Sequence, residues 1–375
     1  AALAGRGTSR LLRQQAVLEE SIRRHTHRAP GRAAAAGLRG LHAVVEPGAL
    51  ALAALEETLA GRALLEIVEL DGQLLAVVLA DGTATLHRLG ARAAVANELD
   101  GLRFSLRRLA LDAGSPASLA AASDAATYAA KRLDSLLIEP AAARVRDRPL
   151  VIVPTGILHG IPWSVLPSLV GRTTTVAPSA AFFCRTRAPE RRPGQGTVLV
   201  AGPGLSNAEE EIDSLASRYP GATRLVGDAA TVGTVTAALD GAALAHVAAH
   251  GTFRADNPLF SSLKLADGPL TVYDLEALER TPPTLVLSAC ESGLSGVCSG
   301  DELMGLASAL FALGTATLVA SVVPVPDAAA RELMVSFHRN IQAGLSPAAA
   351  LARAQADGDG CISTGCAGFV CFGDG

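Results

Sequence analysis

Residues 284–293 read TLVLSACESG, and residues 243–251 read ALAHVAAHG. Each is a short run of small and β-branched apolar residues that ends abruptly in a reactive side chain beside glycine. His250-Gly251 closes one run; Cys290 and Gly293 close the other. An unbroken apolar run bounded by Gly and Pro signals fits a strand covered on both faces, as in a parallel α/β sheet. In such sheets the ligand crevice lies beyond the carboxyl ends of the strands. The two runs are therefore expected to deliver an imidazole and a thiol to one sheet edge, the pairing that a cysteine nucleophile and histidine base require.

The surrounding chain supports an alternating architecture. Thr197–Ala201 reads as a strand, and Ser206 with Glu209 as a capping box opening a helix to about Arg218. A strand at Ala222–Val226, a helix at Thr231–Leu239 and the histidine strand follow. Beyond His250 come a hairpin turn at Asp267-Gly268 and a short helix at Tyr273–Leu278. After the cysteine strand come a helix at Asp301–Leu313, a strand at Ala316–Val323 and a helix from Asp327 to about Ala343. A helix at Pro347–Ala356 and a last strand at Gly368–Phe372 end this part. Strand and helix in alternation argue for a mostly parallel sheet covered on both faces.

Upstream, Ala63–Leu70 and Gln73–Ala80 are joined by Asp71-Gly72, and the next turn is Asp81-Gly82. Asp-Gly between apolar runs signals a hairpin. Two helices, about Ala91–Leu111 and Pro116–Leu137, lead to a buried strand at Pro149–Pro154. Arg172–Ala177 reads as another short strand. His159-Gly160 invites a catalytic reading, but no thiol or hydroxyl in a comparable strand-end setting pairs with it here, and a structural turn is the better account. Residues 186–196, rich in charge, Pro and Gly, mark a domain boundary.

Residues 8–28 are Arg-rich, with Leu11, Leu12, Ala16, Leu18 and Ile22 at near-helical spacing; Ala29 to Gly40 reads as a linker. This is either a surface helix or the end of an upstream helical array. The chain opens on Ala rather than Met, as a piece of a longer protein would. The expected division is residues 1–58 as helical segment and linker, 59–190 as a first half and 194–375 as a second.

Composition removes several function classes. The 375 residues are 49% hydrophobic but only 3% aromatic, so Ala, Leu and Val must fill the cores. A net charge of −4 gives no footprint for nucleic acid. No apolar run reaches bilayer-spanning length, and no signal peptide opens the chain. Six cysteines at this length form no compact disulfide framework, which points to a reduced, cytoplasmic setting. Cys361, Cys366 and Cys371 are spaced too widely for the usual zinc pairs and have no His nearby, so no metal and no cofactor are expected. Gly202-Pro-Gly204 lacks the Lys-Ser/Thr of a phosphate loop and the third glycine of a dinucleotide fingerprint, which leaves a nucleotide-binding protein as a weak rival.

At the strand ends, an imidazole at His250 would stabilise the Cys290 thiolate and then protonate the leaving amine. The backbone N–H groups of Gly251 and Cys290 are candidate oxyanion donors, and glycine at 251 lets a substrate backbone approach closely. His246 shares a strand face with His250 but sits inside the strand, so it reads as a satisfied interior histidine. The competing account of Cys290 is a buried, inert thiol.

Longer stretches add a family resemblance. HVAAHG (246–251), DNPLFSSLKLADGPLTVYDL (256–275), LVLSACESG (285–293), GDELMGLASALFALGTATLVAS (300–321) and the segment from Pro324 to Gln355 resemble the CHAT domain. This is a bacterial caspase-like family often fused to tetratricopeptide repeats. VIVPTGILHGIPWSVLP (151–167) and APSAAFF (177–183) resemble its amino-terminal half, so the likeness covers roughly residues 60 to 373. The resemblance implies a caspase-like αβα sandwich with a mostly parallel sheet and two tandem caspase-like halves, the first catalytically silent. It implies a Cys-His endopeptidase of the clan that holds caspases and separases, acting on a protein substrate under an upstream helical-repeat sensor or regulatory partner. His250 takes the base position and Cys290 the nucleophile position. Asp327 falls where separase-like relatives carry an acid for a substrate Arg or Lys, and Asp301 is a second acid nearby; each could instead cap a helix. Val322-Val323 stands where many members have Trp, and the family's carboxyl-terminal Trp is replaced around Cys366, which touches pocket walls rather than the dyad. The alternative is a catalytically silent CHAT scaffold or interaction module.

Overall fold

The computed structural model describes residues 52–111, 114–186, 194–252, 258–288, 300–357 and 368–375. Helix α1 (Leu52–Leu59) leads into an antiparallel meander, β1 (Ala63–Leu70), β2 (Gln73–Ala80) and β3 (Thr83–Ala91). Its two turns place Asp71 and Gly72 at φ 50° and 72°, and Asp81 and Gly82 at φ 49° and 67°. Both central residues are thus left-handed, the geometry for which Asp-Gly is selected. Helices α2 (Arg92–Ala110) and α3 (Pro116–Leu137) pack on each other, with Ser115 capping α3 ahead of Pro116. The short helix α4 (Ala142–Val145) precedes β4 (Leu150–Val153), followed by β5 (Thr174–Val176) and α5 (Ala180–Thr186).

The remainder alternates as expected: β6 (Thr197–Ala201), α6 (Ala208–Ala216), β7 (Thr223–Leu225), α7 (Val232–Leu239) and β8 (Leu244–Ala248). A small three-stranded sheet follows, β9 (Gly251–Thr252), β10 (Ser262–Lys264) and β11 (Pro269–Thr271), with the Asp267-Gly268 turn between its last two strands. Then come α8 (Val272–Leu275), β12 (Thr284–Leu287), α9 (Gly300–Leu313), β13 (Thr317–Ser321), α10 (Asp327–Gln342), α11 (Pro347–Ala356) and β14 (Phe369–Gly373).

Eleven strands form one sheet in the order β3-β2-β1-β4-β5-β14-β13-β12-β8-β6-β7. β1 to β5 make one block and β6, β7, β8, β12, β13 and β14 the other. The blocks differ in make-up: the first holds an antiparallel meander, the second five parallel strands and one antiparallel strand. Where two tandem halves are expected, the described residues build two dissimilar blocks within a continuous sheet. β14 is the seam, antiparallel to β13 and parallel to β5 through Phe372 and Val176. The parallel strands of the two blocks therefore point in opposite directions, and their carboxyl ends lie at opposite sheet edges. Phe369 and Phe372 on the seam are among the largest fully buried side chains. Arg62, just before β1, reaches across to donate to the Asp374 carbonyl at 2.6 Å.

Candidate active site

β8 and β12 are parallel neighbours, with Leu244 beside Thr284 and Val247 beside Leu287. Their apolar runs are buried throughout apart from Thr284, which is why each is continuous rather than alternating. Beyond the assigned strand, the Ser288 amide still donates to the Val247 carbonyl at 3.0 Å, and Ser288 is buried. Val247 and Ser288 thus stand side by side where the two chains leave the sheet. Ala248 packs against Ala208, Ile212 and Leu215 of α6, so the strand face that carries 246, 248 and 250 by alternation is the α6 face.

His250 lies just past β8 and is partly exposed. Its Nε2 sits 3.1 Å from the Gly204 carbonyl oxygen. A carbonyl only accepts, so Nε2 carries the hydrogen, and Nδ1 holds the lone pair of the neutral ring. The Gly204 carbonyl belongs to the loop between β6 and α6. That loop is held close by Gly202, whose amide donates to the Ala248 carbonyl at 2.7 Å. A Cβ at 202 would lie 2.5 Å from the Lys264 carbonyl oxygen and 2.6 Å from the Ala249 Cβ, so only glycine fits. The Gly202-Pro-Gly204 turn is here a histidine-orienting loop. Gly251 opens β9 beside Leu263 of β10, and the Lys264 amide donates to the His250 carbonyl at 2.8 Å, which fixes the chain on both sides of the imidazole.

The same loop reaches the expected acid. Ser206 does not cap α6: the cap position is Asn207, with no side-chain cap bond. The Ser206 hydroxyl instead donates to Asp327 Oδ2 at 3.4 Å. Asp327 is likewise not a cap. Pro326 holds that position and Asp327 is the first residue of α10, partly buried, where the helix dipole favours a carboxylate. One loop thus contacts the imidazole at Gly204 and the carboxylate at Ser206. Asp301 is the second residue of α9 rather than its cap, and only the backbone of 300–303 is described. Cys290 lies outside the described residues, as do Cys298, Cys361 and Cys366.

His246 is satisfied in the interior, in a chain that sequence inspection does not reveal. It is fully buried, and its Nε2 lies 2.7 Å from Glu211 Oε1 on α6. Its Nδ1 is 3.0 Å from Nε2 of His338 on α10, itself fully buried. His338 Nδ1 is 2.8 Å from the Tyr219 hydroxyl. Burial first, then the neighbouring His246 and Arg218, hold the His338 ring well below the usual imidazole range. Burial pushes the Tyr219 phenol up to about 12.

His159 occupies a 3-10 turn over Gly156–Gly160, its Nε2 donating to the Pro154 carbonyl at 3.1 Å. The turn follows β4, at the sheet edge opposite His250, and packs on α9. Cys371 on β14 is fully buried, and burial pushes its thiol up to about 12, the signature of an inert core cysteine. Among the described residues no cluster of three His, Cys, Asp or Glu could hold a metal ion. No helix among them is long and apolar enough to cross a membrane.

Comparison with known proteins agrees with this fold. Two Saccharomyces cerevisiae separase chains from separase-securin complexes superpose with TM-scores of 0.61 and 0.58 at 10% and 12% identity, covering 85% and 86% of this chain. The chain spans only 30% of the length of each. At that identity the likeness is one of fold. No curated protein sequence matches. The model of the CHAT domain matches residues 127–358, more than half of the chain and inclusive of β4 through α11, so the chain belongs to the CHAT domain family.

Proposed function

We propose that the protein is a cysteine endopeptidase with Cys290 as nucleophile and His250 as base. The observation that carries this reading is the parallel register of β8 and β12, maintained as far as Ser288. Continued by two residues it pairs 290 with 250 on the same face, on strands about 4.8 Å apart. His250 is oriented to act as a base, because the Gly204 carbonyl takes Nε2–H and leaves Nδ1 to accept the thiol proton. That carbonyl fills the orienting role that a carboxylate plays in a serine protease triad.

The thiolate attacks the scissile carbonyl carbon. The oxyanion that forms is met by the backbone N–H groups of Gly251 and Cys290. The C–N bond then breaks as the imidazolium gives its proton to the leaving amine, and water releases the acyl group from sulfur with His250 again as base. Asp327, at the end of α10 and tied to the same loop as His250, recognises a substrate Arg or Lys before the scissile bond, with Asp301 a second acid. Control by an upstream or partner sensor fits a site assembled from loops.

A peptide-library assay on wild type, Cys290→Ala, His250→Ala and Asp327→Asn tests this. Each dyad variant should lose about a thousandfold or more in kcat/KM, and Asp327→Asn should lose preference for Arg and Lys. A fully active Cys290→Ala removes the nucleophile, and a wild type that binds peptides without cleaving them supports the scaffold reading instead.

A further inference from the structure

The Glu211–His246–His338–Tyr219 chain is more than core filling. It joins the three elements that bear on the site: β8, which ends toward His250; α6, whose preceding loop holds Gly204 and Ser206; and α10, which begins at Asp327. Three of its four members are buried to 5% exposure or less, where a broken hydrogen bond is expensive. The donor and acceptor inventory allows the three bonds to run in a single direction. An ionised Glu211 accepts from Nε2–H of His246. His246 Nδ1 then accepts from Nε2–H of His338, and His338 Nδ1 accepts from the Tyr219 hydroxyl. Every buried ring nitrogen is satisfied with both histidines neutral.

We infer that Glu211, His246 and His338 are positioning residues, which fix α6 and α10 at one depth on β8 and so hold the Gly204 carbonyl on His250 and Asp327 beside the same loop. Glu211 sits three residues inside α6, one turn from the loop, so its depth sets where the loop lands. Tyr219 terminates the chain where it meets solvent, and its hydroxyl, able to donate or accept, follows the His338 tautomer that the Glu211 end sets. The titratable and charged groups facing the two histidines are Glu211 from α6, and Tyr219 and Arg218 just beyond that helix. One added proton reverses the chain: with His246 or Glu211 protonated, His338 becomes the Nδ1–H tautomer and Tyr219 turns from donor to acceptor.

The effect on turnover rests on the peptidase reading; the effect on the imidazoles does not, and the two are measured apart. Nitrogen NMR of histidine-labelled protein with intact Cys290 should show His246 and His338 as neutral Nε2–H tautomers near pH 7.5. Glu211→Leu, which leaves a buried N–H unpaired, should move the His250 ring-nitrogen signals away from those of an Nε2–H ring held on the Gly204 carbonyl. Glu211→Gln, which still offers an acceptor, should restore them. Tyr219→Phe removes only a half-buried hydroxyl and should leave His338 as the Nε2–H tautomer, because His246 Nδ1 still takes that hydrogen. A His338 that is Nδ1–H in wild type, a Tyr219→Phe protein in which His338 becomes Nδ1–H, or a folded Glu211→Leu protein with unchanged His250 ring-nitrogen signals each overturns the inference. A silent peptidase assay with these NMR shifts present removes the activity and keeps the positioning chain.

Discussion

His338 is held neutral in the interior, with its proton affinity lowered chiefly by burial. In the unfolded chain it would titrate near 6.5. Its folded value is depressed, so the unfolded state binds more protons as pH falls below about 6.5. The stability it contributes is whole above about 6.5 and drains as pH drops toward the folded value. Between pH 7.5 and 5.5 the folded protein should therefore lose stability on account of this ring. Urea melts at the two pH values should show that loss in wild type and a flatter response in His338→Gln. Identical slopes would mean that His338 charges freely in place. In the sequence, Glu211 is legible only as a helix residue, and His338 only as one more position along α10. Their partners lie 35 and 92 residues away, and Tyr219 lies 119 from His338. Pattern along a chain cannot show which distant polar groups will meet in a core. It does show that His246 has to be satisfied somewhere, because an imidazole inside a buried strand has no water to turn to.

At the scale of elements, the loop from Gly202 to Asn207 does more than connect β6 to α6. It gives a carbonyl to His250 and a hydroxyl to Asp327, and Gly202 lets it lie against Lys264 and Ala249. Gly202→Ala should force that loop outward, costing about 1–3 kcal/mol by overpacking. Turnover should fall even at temperatures where the variant remains fully folded. The check is a thermal melt alongside kcat/KM. A variant of wild-type activity would detach the loop from the site. Strands and helices are largely legible in the sequence because their signals are local: Asp-Gly turns, continuous apolar runs, Pro347 after Ser346 at the start of α11. The capping box expected at Ser206 does not form, and the reason is local too. Ser206 and Asn207 are adjacent cap formers, and the fold places Asn207 at the cap while Ser206 turns to a carboxylate 121 residues on.

For the whole molecule the decisive feature is the direction of the two blocks. With β14 antiparallel to β13 and parallel to β5, the carboxyl ends of the first block face away from those of the second. His159 and His250 therefore never share an edge, although each follows a buried strand and precedes a glycine. No motif reveals this, since strand order and polarity are set by packing rather than by any one segment. The seam is also where the molecule should fail first. Removing residues 368–375 would bare the adjoining edges of β13 and β5 and delete Phe369 and Phe372 from the core. Such a truncation should aggregate on size exclusion; a monodisperse, folded product would show that the blocks hold together without the strand.

That strand is also the last of the eleven to be translated. Both flanking blocks emerge from the ribosome before the piece that welds them. Until it arrives, two half-built surfaces must wait with open borders. A fold wired this way closes only once its final weld has left the exit tunnel, so a nascent chain stalled before residue 369 cannot assemble the finished molecule, however much of its chemistry has already been made.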